Sequence, residues 1–242
     1  MSYREALPAP HLRHLVSAYW GIAPAGKDAS DVRRVLPDGC ADLICELDGT
    51  EPRARWVGTM TRAMLVSVRT EQALFGIRFA SGGLYPLLGV PLSALVDASV
   101  DVTDLTAMHW RPPLERWYAA PDFATRCALA NDSLNAALPR LAGHDLTALL
   151  RDVSRSVELP TVAALTCQSG LGVRSLQRRF LESVGVSPRQ HLRYLRFERA
   201  RQMLEMRKRS TVDIALAAGY SDQAHFVREF ARFAGVTPGR WR

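Results

Sequence analysis

Arg174, Gln177 and Arg178 lie three and one residues apart in one stretch of the chain, and Gln223, His225 and Arg228 fall in a second stretch fifty residues on. Arginine presents two parallel donors that match guanine, glutamine a donor–acceptor pair that matches adenine, and histidine a single donor or acceptor. These six are the candidate base-reading residues. Ser175, Arg179, Thr211 and Ser221 stand beside them. Hydroxyl and guanidinium groups in flanking positions suit phosphate, which positions a protein on a duplex without reading sequence. The plain alternative for each arginine is a solvated surface residue, and for His225 a capping or packing role.

Chemistry of other kinds finds little support. The histidines at 11, 14, 109, 144, 191 and 225 have no metal-ligand spacing, so no metal is expected. No nucleophile elbow, phosphate-binding loop or dinucleotide fingerprint occurs, so neither an enzyme nor a cofactor is expected. The cysteines at 40, 45, 127 and 167 form no C-x-x-C pair. Cys40 reads as an inert buried thiol ahead of a thiol sensor. Asp38, between Pro37 and Gly39, reads as a turn residue. Trp20, Trp56 and Arg78 could line an effector pocket, the aromatics packing and the guanidinium pairing an anion. Core packing for both tryptophans and a solvated edge for Arg78 are equally good readings.

The elements that must position these groups follow from charge and repetition. The chain has 242 residues, 48% hydrophobic and 23% charged, enough for one large or two modest domains. No apolar run approaches the roughly 18 residues of a transmembrane helix. The first residues lack a basic start followed by an apolar stretch, so no secretory signal and a cytoplasmic location are expected. Residues 1–150 carry 14 Lys+Arg and 16 Asp+Glu, whereas residues 151–242 carry 17 and 8. The net charge of +7 therefore divides into −2 and +9. A basic surplus at one end points to a polyanion partner there.

That basic end repeats itself. A shift of fifty positions lays Val162 on Val212, Arg178 on Arg228, Phe180 on Phe230 and Gly185-Val186-Ser187-Pro188 on Gly235-Val236-Thr237-Pro238. Each unit reads as helix, Gly-containing turn, helix. In the first, Thr161 is the expected N-cap, Ser169-Gly170 the turn, and Val173, Leu176 and Phe180 the inward face of the second helix. In the second, Thr211 is the expected N-cap, Val212, Ile214, Ala215 and Ala218 the first stripe, and Phe226, Phe230 and Phe233 the next. The units run over about 161–186 and 211–238. A linker helix of about 188–207 joins them, with Pro188 in its first turn. Arg189 to about Met206 has no Gly or Pro, and about eighteen such residues span about 27 Å, close to the roughly 34 Å between successive major-groove faces. Leu192, Leu195, Phe197, Ala200, Met203 and Leu204 share one arc of this helix. Arg196 falls inside that arc and needs a partner; Asp213 is the expected carboxylate.

Residues 161–242 resemble the DNA-binding region of the AraC/XylS family of bacterial transcription regulators. The resemblance rests on Val212-Asp213-Ile214-Ala215, Gly219-Tyr220-Ser221-Asp222, Phe226, Arg228-Glu229-Phe230, Gly235-Val236-Thr237-Pro238 and Arg240-Trp241-Arg242. In the first unit and linker it rests on Leu176-Gln177-Arg178-Arg179-Phe180 and Leu195-Arg196-Phe197-Glu198-Arg199-Ala200. Ala231 departs from the family by replacing a basic residue, which removes one phosphate contact. The resemblance implies double-stranded promoter DNA as partner, with RNA polymerase contact and a homodimer as further partners.

Residues 1–145 are harder to read. Leu43, Cys45 and Leu47, then Met64, Val66 and Val68, then Ala73, Phe75, Ile77 and Phe79 alternate as strands do. Leu84–Leu88, Leu92–Val96, Pro113–Tyr118 and Phe123–Leu141 are the expected helices, with a linker near Leu141-Ala142-Gly143-His144. The expected fold class is α+β: a small antiparallel sheet or barrel-like domain with helices, then an all-α double helix-turn-helix over 146–242. Pro8-Ala9-Pro10-His11-Leu12, Tyr19-Trp20, Leu36-Pro37-Asp38-Gly39 and Gly76-Ile77-Arg78-Phe79 resemble a sparsely characterised domain found ahead of AraC-type regions. That resemblance implies sensing or dimerisation and names no ligand. Three functions stay open: a regulator that answers a small-molecule effector, a regulator whose front domain only dimerises or binds a protein, and an enzyme with a DNA-targeting appendage.

Overall fold

The computed structural model of the chain describes residues 2–24, 30–69, 72–106, 108–140, 146–206 and 209–241. It is an α+β fold, an antiparallel β region with its own helices followed by a wholly helical region. The strands are β1 (Ser2–Ala6), β2 (Val16–Ala23), β3 (Ser30–Val35), β4 (Ala41–Glu46), β5 (Arg53–Val57), β6 (Met64–Arg69), β7 (Leu74–Phe79) and β8 (Ser99–Asp101). Six form an antiparallel sheet in the order β1-β2-β7-β4-β5-β8, while β3 and β6 pair separately as a two-stranded arm. The alternation in β4, β6 and β7 appears as expected; β1 and β2 lie ahead of the region that reads as strands.

Period-two alternation gives the main sheet two different faces. Tyr19, Ile77, Leu43 and Trp56 form one cross-strand row, and all four are fully buried. Trp20, Gly76, Ile44 and Arg55 form the neighbouring row on the opposite face. The first face is filled by aromatic side chains. Trp56 meets Trp110 edge-on at 6.1 Å, and Phe75 meets Trp117 at 5.5 Å. Helices α1 (Tyr85–Leu88), α2 (Leu114–Ala119) and α3 (Phe123–Ala137) close this core. The α3 helix also answers the polar atoms there: Tyr19 Oη donates to Asn131 Oδ1 (3.0 Å) and Trp110 Nε1 to Ser133 Oγ (2.8 Å).

Two of the expected helices are shorter. Leu92–Leu95 is a 3₁₀ turn. The helix that begins at Phe123 ends at Ala137 and tightens into a 3₁₀ turn over Leu138–Arg140. Pro139 is the reason, because it lacks the amide and its ring crowds the preceding turn. The expected linker at 141–144 lies outside the described residues.

The helical region comprises α4 (Leu146–Arg155), α5 (Val162–Ser169), α6 (Val173–Ser183), α7 (Pro188–Glu205), α8 (Thr211–Ala217) and α9 (Gln223–Ala234). Helix α4 carries none of the repeat's signature; Leu146, Leu150 and Val153 give it one apolar face, which joins the first core. Caps fall largely where the residue types ask for them. Thr161 Oγ1 accepts from Ala164 N, Ser187 Oγ from Gln190 N, and Asp222 Oδ1 from His225 N. Thr211 is not a cap: Ser210 Oγ takes that role by accepting from Asp213 N at 3.2 Å, and Thr211 is the first helical residue.

Two cores result, and α7 serves both. Leu192 joins Leu165, Leu176, Phe180 and Val184, whereas Phe197 and Ala200 join Ile214, Phe226, Phe230 and Phe233. His191 is wedged into the first junction, ring against Phe180 (5.8 Å) and Tyr194 (6.2 Å). Among the described residues neither of its ring nitrogens has a hydrogen-bond partner. Burial alone pushes its pKa down from 6.5 to about 4. The neutral ring is therefore the folded form. Stability is complete above pH 6.5 and is lost as pH falls towards 4, by about 3 kcal/mol for this one group. Thermal melts of the full chain from pH 7 to 4 should show this loss. A His191→Phe variant, which cannot titrate, should melt with a shallower pH dependence; an identical slope would assign the loss to other groups.

Candidate nucleic-acid interface

Helices α6 and α9 are the second helices of the two repeated units, and each buries one stripe. In α6, Leu176 and Phe180 point inward as the spacing requires, whereas Val173 in the first turn is 62% exposed. Arg174, Gln177 and Arg178 are exposed on the opposite side; Ser175 and Arg179 are half-buried at its margins. In α9, Phe226, Phe230 and Phe233 are buried, and Gln223 and Arg228 are exposed. His225 is half-buried instead. Its ring stands edge-on to Tyr220 at 5.4 Å, and its Nδ1 lies 3.0 Å from Ser221 Oγ. Ser221 also donates to Asp222 Oδ2, so the Ser221–His225 turn forms a local polar cluster. Thr211 is half-buried at the start of α8. In that helix Ile214, Ala215 and Ala218 make the inward stripe and Val212 turns outward.

Two contacts lock the linker helix to the second unit, and the sequence did not point to either. Arg193 on α7 makes a two-pronged pair with Glu229 on α9, Nε to Oε2 at 2.7 Å and Nη2 to Oε1 at 2.6 Å. Both side chains are largely covered, and the hydrogen bonds from Arg193 hold the Glu229 carboxyl below the usual range. The expected pairing of Arg196 with Asp213 does not occur. Asp213 Oδ2 accepts from Ser210 Oγ at 2.6 Å, at the mouth of α8. The Arg196 guanidinium instead lies 5.6 Å over the Tyr220 ring. A face of negative quadrupole next to a half-buried stem meets the same electrostatic need as a carboxylate.

The N-terminal region contributes a second polar site on its outer face. Trp20 lies flat across Gly76, where a Cβ would come within 2.0 Å of the indole. Its Nε1 donates to Asp42 Oδ1 at 2.8 Å. Arg78 Nε stands 3.0 Å from Asp38 Oδ2 as an ion pair and 3.8 Å from Asp42. Burial pushes both carboxyls up, Asp42 to about 7; Asp38 raises Asp42 further, Glu198 adds to Asp38, and Arg78 pulls both back. Asp38 does hold its turn, accepting from Cys40 N at 3.0 Å, and adds the ion pair to that duty. Gly39 (φ +68°) leaves no space beside it, since Tyr194 of α7 packs on it. Trp56 does not belong to this group. The two-residue period puts it on the opposite face, at the centre of the aromatic core, so the expected trio of Trp20, Trp56 and Arg78 does not converge.

Residues 165–242 match a family of helix-turn-helix domains, and residues 4–101 match a domain of unknown function, DUF6597. The HTH-type transcriptional activator RhaR of Klebsiella pneumoniae is 34% identical over 98 residues, 40% of this chain and 35% of that protein. The activator RhaS of Escherichia coli is 38% identical over 75 residues, 31% of this chain and 27% of that protein. The aligned stretch thus spans about a third of the length of these curated relatives. A solved AraC-type regulator from Chromobacterium violaceum is 28% identical, covering 45% of this chain and 93% of that one at a TM-score of 0.38.

The Arg193–Glu229 pair can be weighed directly. A double-mutant cycle with Arg193→Met and Glu229→Gln, followed by urea unfolding of the full chain, should give a coupling of about 1–3 kcal/mol. Additive losses would show that the pair is electrostatically idle. Residues 165–242 of this chain are thus similar to the helix-turn-helix domains of HTH-type transcriptional regulators, and residues 4–101 are similar to DUF6597 domains.

Proposed function

We propose that the chain is a sequence-specific transcription regulator that places α6 and α9 in successive major grooves of promoter DNA. One observation carries this: two helices of the same repeat, joined by a single strut, both expose arginine and glutamine opposite a buried apolar stripe. Arg174, Gln177 and Arg178 read bases from the first helix, and Gln223 and Arg228 from the second. His225 reads from within its cluster with Ser221. Ser175, Arg179, Thr211 and Ser221 touch phosphate. In this reading residues 1–145 are an effector or dimerisation domain and residues 146–242 the DNA reader. The relatives' names support transcription activation, and the proposed setting is the cytoplasm. No helix among the described residues is long and apolar enough to cross a membrane.

A small-molecule effector acts at the front domain in this reading. With the inner sheet face packed by tryptophan and phenylalanine, the effector does not sit among Trp20, Trp56 and Arg78. A cavity of about 430 Å³ opens between Val102, Leu105, Met108, Arg111, Leu114 and Arg116. Its size falls within the range of small-molecule sites, and an apolar wall rimmed by Arg111, Arg116 and Glu115 suits an amphipathic molecule with a charged end. A homodimer through the front domain and contact with RNA polymerase complete the proposal, and no catalytic step is part of it.

Binding-site selection tests the base-reading roles. Arg174→Ala should flatten preference at one base position, a loss of about 1–3 kcal/mol there. Arg179→Ala should weaken all sequences alike and lower the salt slope by about one. An unchanged sequence preference in Arg174→Ala would refute its assignment. For the effector, a metabolite screen by thermal shift on the full chain should find a stabilising ligand, about 2.7 kcal/mol at a hundredfold excess over Kd. Arg111→Ala should reduce that shift, and an unchanged shift would move the site elsewhere.

A further inference from the structure

The ends of the two recognition helices are tied together by a piece of the other domain. The last carbonyls of a helix have no partner within it. At the end of α6, Val184 O accepts from Thr59 Oγ1 at 2.7 Å. At the end of α9, Phe233 O accepts from Ala63 N at 2.9 Å, and Ala234 O from Arg34 Nη1 at 2.6 Å. A cation at a helix C-terminus also complements its dipole. Thr59 and Ala63 are four residues apart, so the chain between them reaches at most about 14 Å. One short strap therefore joins the C-terminal ends of both helices.

The strap is itself held rigidly. Asp97 accepts from Thr61 N (2.7 Å) and Thr61 Oγ1 (2.5 Å), and its own amide donates to Thr59 O (3.1 Å). Asp97 does so at φ +55°, the one non-glycine residue among those described to take a left-handed backbone. A residue held in that region marks a place that the surroundings over-determine. Ahead of the strap, Gly58 passes so close to the Leu92–Leu95 turn that a Cβ would meet Leu95 O at 1.8 Å. The same turn seats on the end of α6, where Gly185 leaves no room for a Cβ beside Leu92 O.

Without the strap the two units would be joined through α7 alone, each packed on a different part of that helix. With it they are joined at two places. From this we infer that residues 59–63, with Arg34 and Asp97, set the relative placement of α6 and α9, and so determine the spacing at which two blocks of bases are read. Spacing specificity then resides in the N-terminal domain, in residues that touch no DNA. This rests on the DNA-reading function proposed above.

The test uses the full chain and the double variant Thr59→Val/Arg34→Ala, which removes two of the three bonds without altering the candidate base-reading residues. Melting curves and far-ultraviolet dichroism confirm folding, and Thr59→Val alone, isosteric and on one bond, serves as the milder variant. In selection from libraries with a variable spacer between the two blocks, wild type should enrich one spacing. The double variant should spread over two or more spacings with the same bases in each block. Pulsed electron paramagnetic resonance between nitroxide-bearing unnatural residues at positions 182 and 232 should show the distance distribution at least double in width. An unchanged spacing preference, an unchanged distance width, or a single new spacing bound more tightly would each overturn the inference. A wild type that enriches no sequence would refute the DNA-reading function, while the label distances would still decide whether the strap fixes the pair.

Discussion

The eighteen residues of α7 have to satisfy two hydrophobic cores and one sheet face at once. Leu192 belongs to the first core and Phe197 and Ala200 to the second, so the apolar stripe turns around the helix along its length. Tyr194 is then left facing the elbow at Gly39, with His191 enclosed beside it. Arg193 must point to α9, where Glu229 meets it. Each polar residue on this helix has a direction imposed by its apolar neighbours. Rotation of α7 about its axis would break all of these fits together, so this helix fixes how each unit sits on the strut, while the strap at their far ends holds the two units against each other.

Electrostatics follows the same constraint. Arg196 cannot reach water fully and settles over Tyr220, a ring that the second core already holds in place. Asp38 and Asp42 face Arg78 beneath the same helix, on a sheet face that a free domain would expose to solvent. The sheet thus divides its labour. One face is an aromatic core with no room to spare, and the other carries charge and presents it to the helical region.

Much of this could be read before any coordinates. The fifty-residue repeat located α5, α6, α8 and α9 because Gly, Pro and aromatic positions encode the scaffold directly. The outward positions of Arg174, Gln177, Arg178, Gln223 and Arg228 followed from helical period, which misplaced Val173 and His225. What escaped was non-local. Arg193 and Glu229 are thirty-six positions apart, and their pairing depends on how α7 and α9 cross. Asp213 stands at the start of the second unit, which made it the expected partner for Arg196, but the Ser210 hydroxyl three residues ahead takes its carboxylate locally. Trp56 could not be separated from Trp20 without the strand register, because a one-residue difference in pairing puts a side chain on the other face. Of the two-stranded arm, β6 was legible in the alternation of Met64, Val66 and Val68, whereas β3 was not singled out and its Val32 stays exposed.

The hydrogen bonds at Val184 and Phe233 also bear on modularity. A repressor or activator is often pictured as a reader with an interchangeable receptor attached. Here the front domain supplies partners for the carbonyls at two helix ends, through the Thr59 hydroxyl, the Ala63 amide and the Arg34 guanidinium. A chimera that grafts a foreign front domain onto the helical region inherits two bare carbonyl ends and an uncovered apolar junction, unless the graft carries a matching segment of its own. Lineages that exchange such front domains would therefore have to exchange the segment corresponding to 58–63 with them, and the boundary at which recombination is tolerated lies in contacts instead of in the linker.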